Sequence, residues 1–154
     1  ALTDPMVEQL TDILDKIRNK METLPKEKQL NGMGDIYYPN IPNIVDILIS
    51  DRNAVKLIVD CAKGTKYEGF LDNIAMRNAE SIRIAAENVE GKTVNSIEGQ
   101  TMEVLMDGYI RTLFRLILSN KKRETIIQCM EMIGKIYEKG IMALMEEDVE
   151  DELR

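Results

Sequence analysis

From residue 97 to residue 145 apolar side chains recur at helical spacing along two long stretches, parted only by Ser119-Asn120-Lys121-Lys122-Arg123. Two helices joined by so short a polar turn lie as neighbours, and the rest of the chain must pack around that pair. On the first, Met102, Met106, Tyr109 and Leu113 form one stripe, and Thr101, Leu105, Gly108, Thr112 and Leu116 an adjacent one. Only a narrow polar edge of Glu103, Asp107, Arg111 and Arg115 remains. A helix apolar on most sides is buried on most sides. Gly108 inside it costs about 1 kcal/mol relative to alanine, which points to a close helix approach. The second helix repeats the design, with Ile126, Met130, Ile133, Tyr137, Ile141 and Leu144 on one face and Gly134 and Gly140 within it. These faces are too wide for one small domain to cover. The pair is therefore expected to meet its symmetry mate in a four-helix seam, with Leu105, Gly108, Thr112, Leu116, Ile126, Met130, Ile133 and Tyr137 at the dimer interface. The plainer reading is that both stripes are monomer core.

A chain of 154 residues is expected to fold as one domain and to bury roughly 68–70% of its unfolded surface, without help from disulfides or metal. Its 44% hydrophobic and 31% charged residues describe an ordinary soluble protein. Apolar runs such as Ile47-Leu48-Ile49 and Leu116-Ile117-Leu118 are too short to cross a bilayer, and the start has no signal-peptide pattern. Cys61 and Cys129, far apart and on apolar helix faces, read as reduced core thiols of a cytoplasmic protein. The net charge of −7 is concentrated in Glu146, Glu147, Asp148, Glu150, Asp151 and Glu152, so residues 1–145 are close to neutral. The expected organisation is a domain over 1–145 and a solvated acidic tail over 146–154. Nothing in the body supplies the basic stripe of a nucleic-acid surface.

Asp4 as N-cap and Pro5 at the first position open a helix carrying Met6, Leu10, Ile13, Leu14, Ile17, Met21 and Leu24, which stops before Pro25. Residues 25–42, with Pro25, Gly32, Gly34, Pro39 and Pro42 around Tyr37-Tyr38, read as a long loop of the kind that is often functional. A short helix around Asn43–Ser50 follows, then one opened by Asp51 and closed near Gly64. Thr65-Lys66-Tyr67-Glu68 fits a capping box for a helix ending at Gly91, and a polar stretch over 91–96 leads to the long pair. With no strand signal, the fold class is all-α, an orthogonal bundle of about six helices.

The absence of histidine removes the commonest general base and metal ligand, and with it serine and cysteine triads and most zinc and di-iron sites. Pairs such as Asp12/Asp15, Asp46/Asp60 and Glu103/Asp107 lie where wet helix faces would put them, and Asp107 four residues before Arg111 reads as an ion pair. No catalytic residue, metal or cofactor is assigned, and an enzyme is not expected. The chain has soft apolar lining instead: ten methionines, five tyrosines and two phenylalanines. A pocket would form if helices 5–24, 66–90 and 97–119 splay apart, lined by Leu14, Ile17, Met21, Phe70, Ile74, Met106, Tyr109 and Leu113 and capped by Tyr37 and Tyr38. Its ligand would be small and largely apolar.

The order Ile47-Leu48-Ile49-Ser50-Asp51-Arg52-Asn53-Ala54-Val55-Lys56-Leu57, then Gly64-Thr65-Lys66-Tyr67-Glu68-Gly69-Phe70-Leu71-Asp72, then the long helix pair, resembles the C-terminal regulatory domain of TetR-family transcriptional regulators over roughly residues 5–145. The resemblance implies a homodimer through the last two helices and a small-molecule effector pocket among the preceding helices and the first of that pair. It also implies an allosteric link to DNA. Family members place a helix-turn-helix domain before the segment corresponding to residues 5–24, and this chain begins at Ala1-Leu2-Thr3-Asp4. Residues 1–154 alone are therefore expected not to bind DNA specifically, whether that domain was removed or never existed. The same pattern also permits a stand-alone interaction module whose apolar groove receives a partner's amphipathic helix.

Overall fold

A computed structural model of the protein describes the backbone of residues 4–89 and 93–152, with side chains as far as residue 145. Among the described residues the fold is all-α. Helix α1 spans Pro5–Glu22, and its cap is the expected one: Asp4 accepts a hydrogen bond from the Val7 amide at 3.3 Å. The Asp4 carboxylate also accepts from the Tyr67 hydroxyl and lies 3.6 Å from the Lys66 ammonium, so the start of α1 is tied to a distant turn.

Residues 25–42 are not a loop. A 3-10 turn at Lys26–Lys28 leads into α2 (Gln29–Tyr37), and a second at Tyr38–Asn40 leads into α3 (Ile41–Ile49). The glycines that suggested a loop are contact points. A Cβ on Gly32 would lie 2.9 Å from Leu24 Cδ1, and one on Gly34 would lie 2.7 Å from Tyr38 Cε2. Tertiary packing here outweighs the helix-breaking propensity of glycine.

Helix α4 (Arg52–Asp60) opens on Asp51 as expected, with the Ala54 amide donating to its carboxylate at 3.1 Å. It closes four residues before Gly64, which sits in the following turn at φ +77°. The capping box expected at Thr65 and Glu68 does not form. The Thr65 hydroxyl donates to the Ala62 carbonyl at 2.7 Å, and the Glu68 carboxylate accepts from the Gly64 amide at 2.9 Å. Gly69, at φ +78°, then redirects the chain so that α5 spans Phe70–Glu87. The stop expected at Gly91 lies outside the described residues.

The capping box of this fold is at Asn95. Its side chain accepts from the Glu98 amide at 2.9 Å, and the Glu98 carboxylate accepts from the Asn95 amide at 3.0 Å. It opens α6 (Ser96–Ile117), and α7 (Arg123–Glu152) follows the predicted turn. Helix α7 continues past residue 145, so the backbone does not break where the acidic tail was expected to begin.

Helix α6 is the axis of the core. Met102, Met106, Tyr109, Ile110, Leu113, Phe114 and Ile117 are buried along it, and α5, the helix packed most extensively against it, buries Ala75, Ala79, Ala85 and Ala86. Small side chains permit close approach. Ile126 and Met130 of α7 are fully buried within the chain itself, each stabilising it by ~1.5–3 kcal/mol. They belong to the core and have no surface to offer a second copy. Cys61 is exposed at the end of α4 rather than in the core, Cys129 is half-buried, and both are free thiols. No described helix is long and apolar enough to cross a membrane.

Candidate functional site

Three helices turn the same kind of stripe toward one cavity. Leu14, Ile17, Arg18 and Met21 of α1, Leu30, Met33, Gly34 and Tyr37 of α2, and Gly134, Tyr137, Glu138 and Ile141 of α7 each fall at i, i+3, i+4, i+7. Asn78, Ser81 and Ile82 of α5, Met106 and Tyr109 of α6, Tyr38 and Met142 complete a cavity of about 160 Å³. A volume of that order holds a body about the size of one aromatic ring.

Four of the five tyrosines line it. The Tyr109 hydroxyl donates to the Tyr37 oxygen at 2.7 Å, and the Tyr38 hydroxyl donates to Glu138 Oε2 at 2.5 Å. The Tyr109 and Tyr137 rings lie 4.9 Å apart at 51°, and the Tyr37 ring is 6.5 Å from Tyr109 and 5.7 Å from Tyr38. Two glycines make room for Tyr38. A Cβ on Gly134 would lie 3.0 Å from its Cε1, opposite the 2.7 Å approach from Gly34. Burial pushes the Tyr37 hydroxyl up to about 12 despite the hydrogen bond from Tyr109. Burial, then the neighbouring Tyr37, raises Tyr109 further, and burial with the Glu138 carboxylate does the same to Tyr38. These hydroxyls remain protonated donors at any physiological pH.

Of the nine residues expected at a ligand pocket, Leu14, Ile17, Met21, Tyr37, Met106 and Tyr109 line the cavity. Phe70, Ile74 and Leu113 do not. Phe70 packs edge-on against Phe114 at 6.4 Å, Leu113 is buried in the core, and Ile74 is half-buried against it. Tyr137, expected at a dimer interface, faces the cavity, and a Cβ on Gly108 would lie 3.7 Å from its hydroxyl. Sequence reasoning missed the α2 stripe because it treated that segment as a loop, and missed Glu138 because it follows Tyr137 directly on a helix read for its apolar face.

The remaining residues expected at the dimer seam divide differently. Leu105 and Thr112 are exposed, and Leu116 and Ile133 are half-buried. The most exposed large apolar side chains of the long pair are others: Ile97 (72%) and Val104 (74%) on α6, and Met132 (65%) and Ile136 (69%) on α7. They fall at i, i+7 and i, i+4, spacings that put each pair on one helix face.

The carboxylate pairs considered for catalysis are held in ion pairs or lie exposed. Arg111 Nε donates to Asp107 at 3.0 and 3.1 Å, while its Nη2 reaches Asp72 at 2.7 Å. Arg123 grips Asp46 through two hydrogen bonds of 2.6 and 3.0 Å, and Asp15 lies 3.3 Å from Arg18 and 3.9 Å from Arg77. Asp12, Asp60 and Glu103 are exposed. Among the described residues no group of three or more acidic or cysteine side chains is placed to hold a metal ion. No family model matches the chain, and no curated protein or solved structure gives a match.

Proposed function

We propose that this chain is the effector-sensing and dimerisation part of a TetR-like transcriptional regulator, acting on DNA only through a domain outside these 154 residues. The observation that carries this reading is the double use of α6 and α7. One face of each lines the tyrosine cavity, and another exposes large apolar side chains, Ile97 and Val104 on α6 and Met132 and Ile136 on α7. Single exposed apolar residues are ordinary, but spaced pairs on two long neighbouring helices are what a partner helix would cover.

In this reading a small, largely apolar ligand enters among α1, α2, α5, α6 and α7. It favours whichever arrangement of those helices the filled cavity fits better. Helix α1 supplies four of the cavity residues and is the element that follows the DNA-reading head in the resembling family, so a shift of α1 against α6 and α7 changes how two such heads are spaced in a dimer.

Native mass spectrometry and sedimentation of residues 1–154 test this directly. A dimer, with a small apolar molecule carried along or acquired on addition, is the expected result. A monomer at tens of micromolar that acquires no small molecule and instead binds an amphipathic helical peptide would replace this reading with that of an interaction module, the use to which the exposed rows on α6 and α7 would then be put.

A further inference from the structure

The cavity is largely apolar and aromatic, yet it holds one carboxylate that, among the described residues, is outside any ion pair. Glu138 lines it and accepts the Tyr38 hydroxyl through Oε2. Among the described residues no lysine or arginine nitrogen lies within ion-pair distance of it. Arg18, the other charged residue in the lining, is paired with Asp15 at 3.3 Å. Lys135, one turn back on α7, lies 5.9 Å from the centre of the Tyr38 ring instead of on the carboxylate. Beside Glu138 stand the rings of Tyr37, Tyr38, Tyr109 and Tyr137, all in the cavity lining, with neighbouring ring centres 4.9–6.5 Å apart. Rings so clustered attract a cation through their quadrupoles, and best where water is excluded. Glu138 is half-buried, and a carboxylate at the edge of an aromatic lining attracts a cation that enters beside it.

We infer that the ligand of this cavity is a small lipophilic organic cation, its apolar body among Leu14, Ile17, Met33 and Met106 and its ammonium group against Glu138 and the tyrosine faces. This rests on the reading of the cavity as a ligand site and adds the chemical class of the ligand. A quaternary ammonium suits the site better than a primary one. It offers no N–H donors that the cavity would have to satisfy, and its methyl groups pack on rings.

Three benzyl probes separate the possibilities: benzyltrimethylammonium, its uncharged carbon isostere neopentylbenzene, and the smaller anion phenylacetate. The chain has no tryptophan, so tyrosine emission reports on the cavity directly. Benzyltrimethylammonium is expected to bind about tenfold or more tighter than neopentylbenzene, with phenylacetate weakest. Glu138→Gln keeps an oxygen for the Tyr38 hydroxyl, and is expected to cost the cation about tenfold while changing neopentylbenzene less than twofold. Equal or tighter binding of neopentylbenzene or phenylacetate in the unaltered protein overturns the cationic assignment and leaves the ligand site standing. Failure of all three to bind overturns the ligand site itself.

Discussion

Tyr38 is gripped between backbones. Gly34 on one helix and Gly134 on another approach opposite edges of its ring, and its hydroxyl is fixed on Glu138. Alanine at position 34 would drive a methyl group to 2.7 Å from that ring and 3.1 Å from the carboxylate. The helix-propensity gain of about 1 kcal/mol is then outweighed by overpacking of ~1–3 kcal/mol. Gly34→Ala should lower the urea unfolding midpoint, whereas Gly140→Ala, with nothing within 4 Å of the added Cβ, should raise stability by up to about 1 kcal/mol. Tyr67 and Asp4 make the protein sensitive at both ends of the pH scale. The hydrogen bond to Asp4, with burial, pushes Tyr67 up to about 12, and burial pushes Tyr37 up to about 12. Folded values above the ordinary 10.0 mean that this stabilisation is whole below pH 10 and is lost as pH rises toward 12. Each such tyrosine contributes a slope of at most about 1.4 kcal/mol per pH unit. Burial opposes charge on Asp4, but the hydrogen bonds from Tyr67 and Val7 and the nearby Lys66 outweigh it and hold its carboxyl below 3.8. Its share is therefore present above that pH and lost as pH falls through the lower folded value. Thermal melts across pH should show tyrosinate absorbance appearing together with unfolding on the alkaline side, and Tyr67→Phe should flatten both limbs.

At the level of helices, the sequence is legible wherever a cap and an unbroken period agree. Asp4-Pro5 opens α1 and Asp51 opens α4 as read, and the long pair with its short turn lies where the apolar spacing put it. Two elements escape that logic. Helix α2 carries two glycines and sits between prolines, and it is helical because its glycines touch Leu24 and Tyr38, partners that no local pattern reveals. Thr65-x-x-Glu68 and Asn95-x-x-Glu98 have the same form, yet only the second caps a helix. The first is followed at once by Gly69 in a left-handed backbone, which turns the chain before a helix can form, while the second runs straight into Gly99 and the α6 stripe. Asn95→Ala should therefore cost ~0.5–2 kcal/mol, about 1 kcal/mol being typical of a lost N-cap, in chemical unfolding.

For the molecule as a whole, period alone names the faces of a helix without saying which of several apolar faces turns inward. On α7 both Ile126-Met130 and Met132-Ile136 are apolar at i, i+4, but only the first is buried in the chain. The candidate site was partly readable for the same reason. Stripes on α1 and α6 point inward as expected, while Tyr137 and Glu138 were hidden on a helix with too many apolar options. Ile136→Glu should leave the helical circular dichroism and melting of the monomer unchanged, because its side chain is 69% exposed, and should shift sedimentation from dimer to monomer. An unchanged dimer would remove this face from the interface. Ile136 directly precedes Tyr137 and Glu138 in the chain, so one turn of α7 faces outward through the first and into the cavity through the other two. If copies pair across Ile136, subunit affinity and ligand affinity become reciprocal, each altering the other by the same factor. Diluting the protein then shifts its apparent ligand affinity, and the number of copies a cell keeps sets the dose at which it answers.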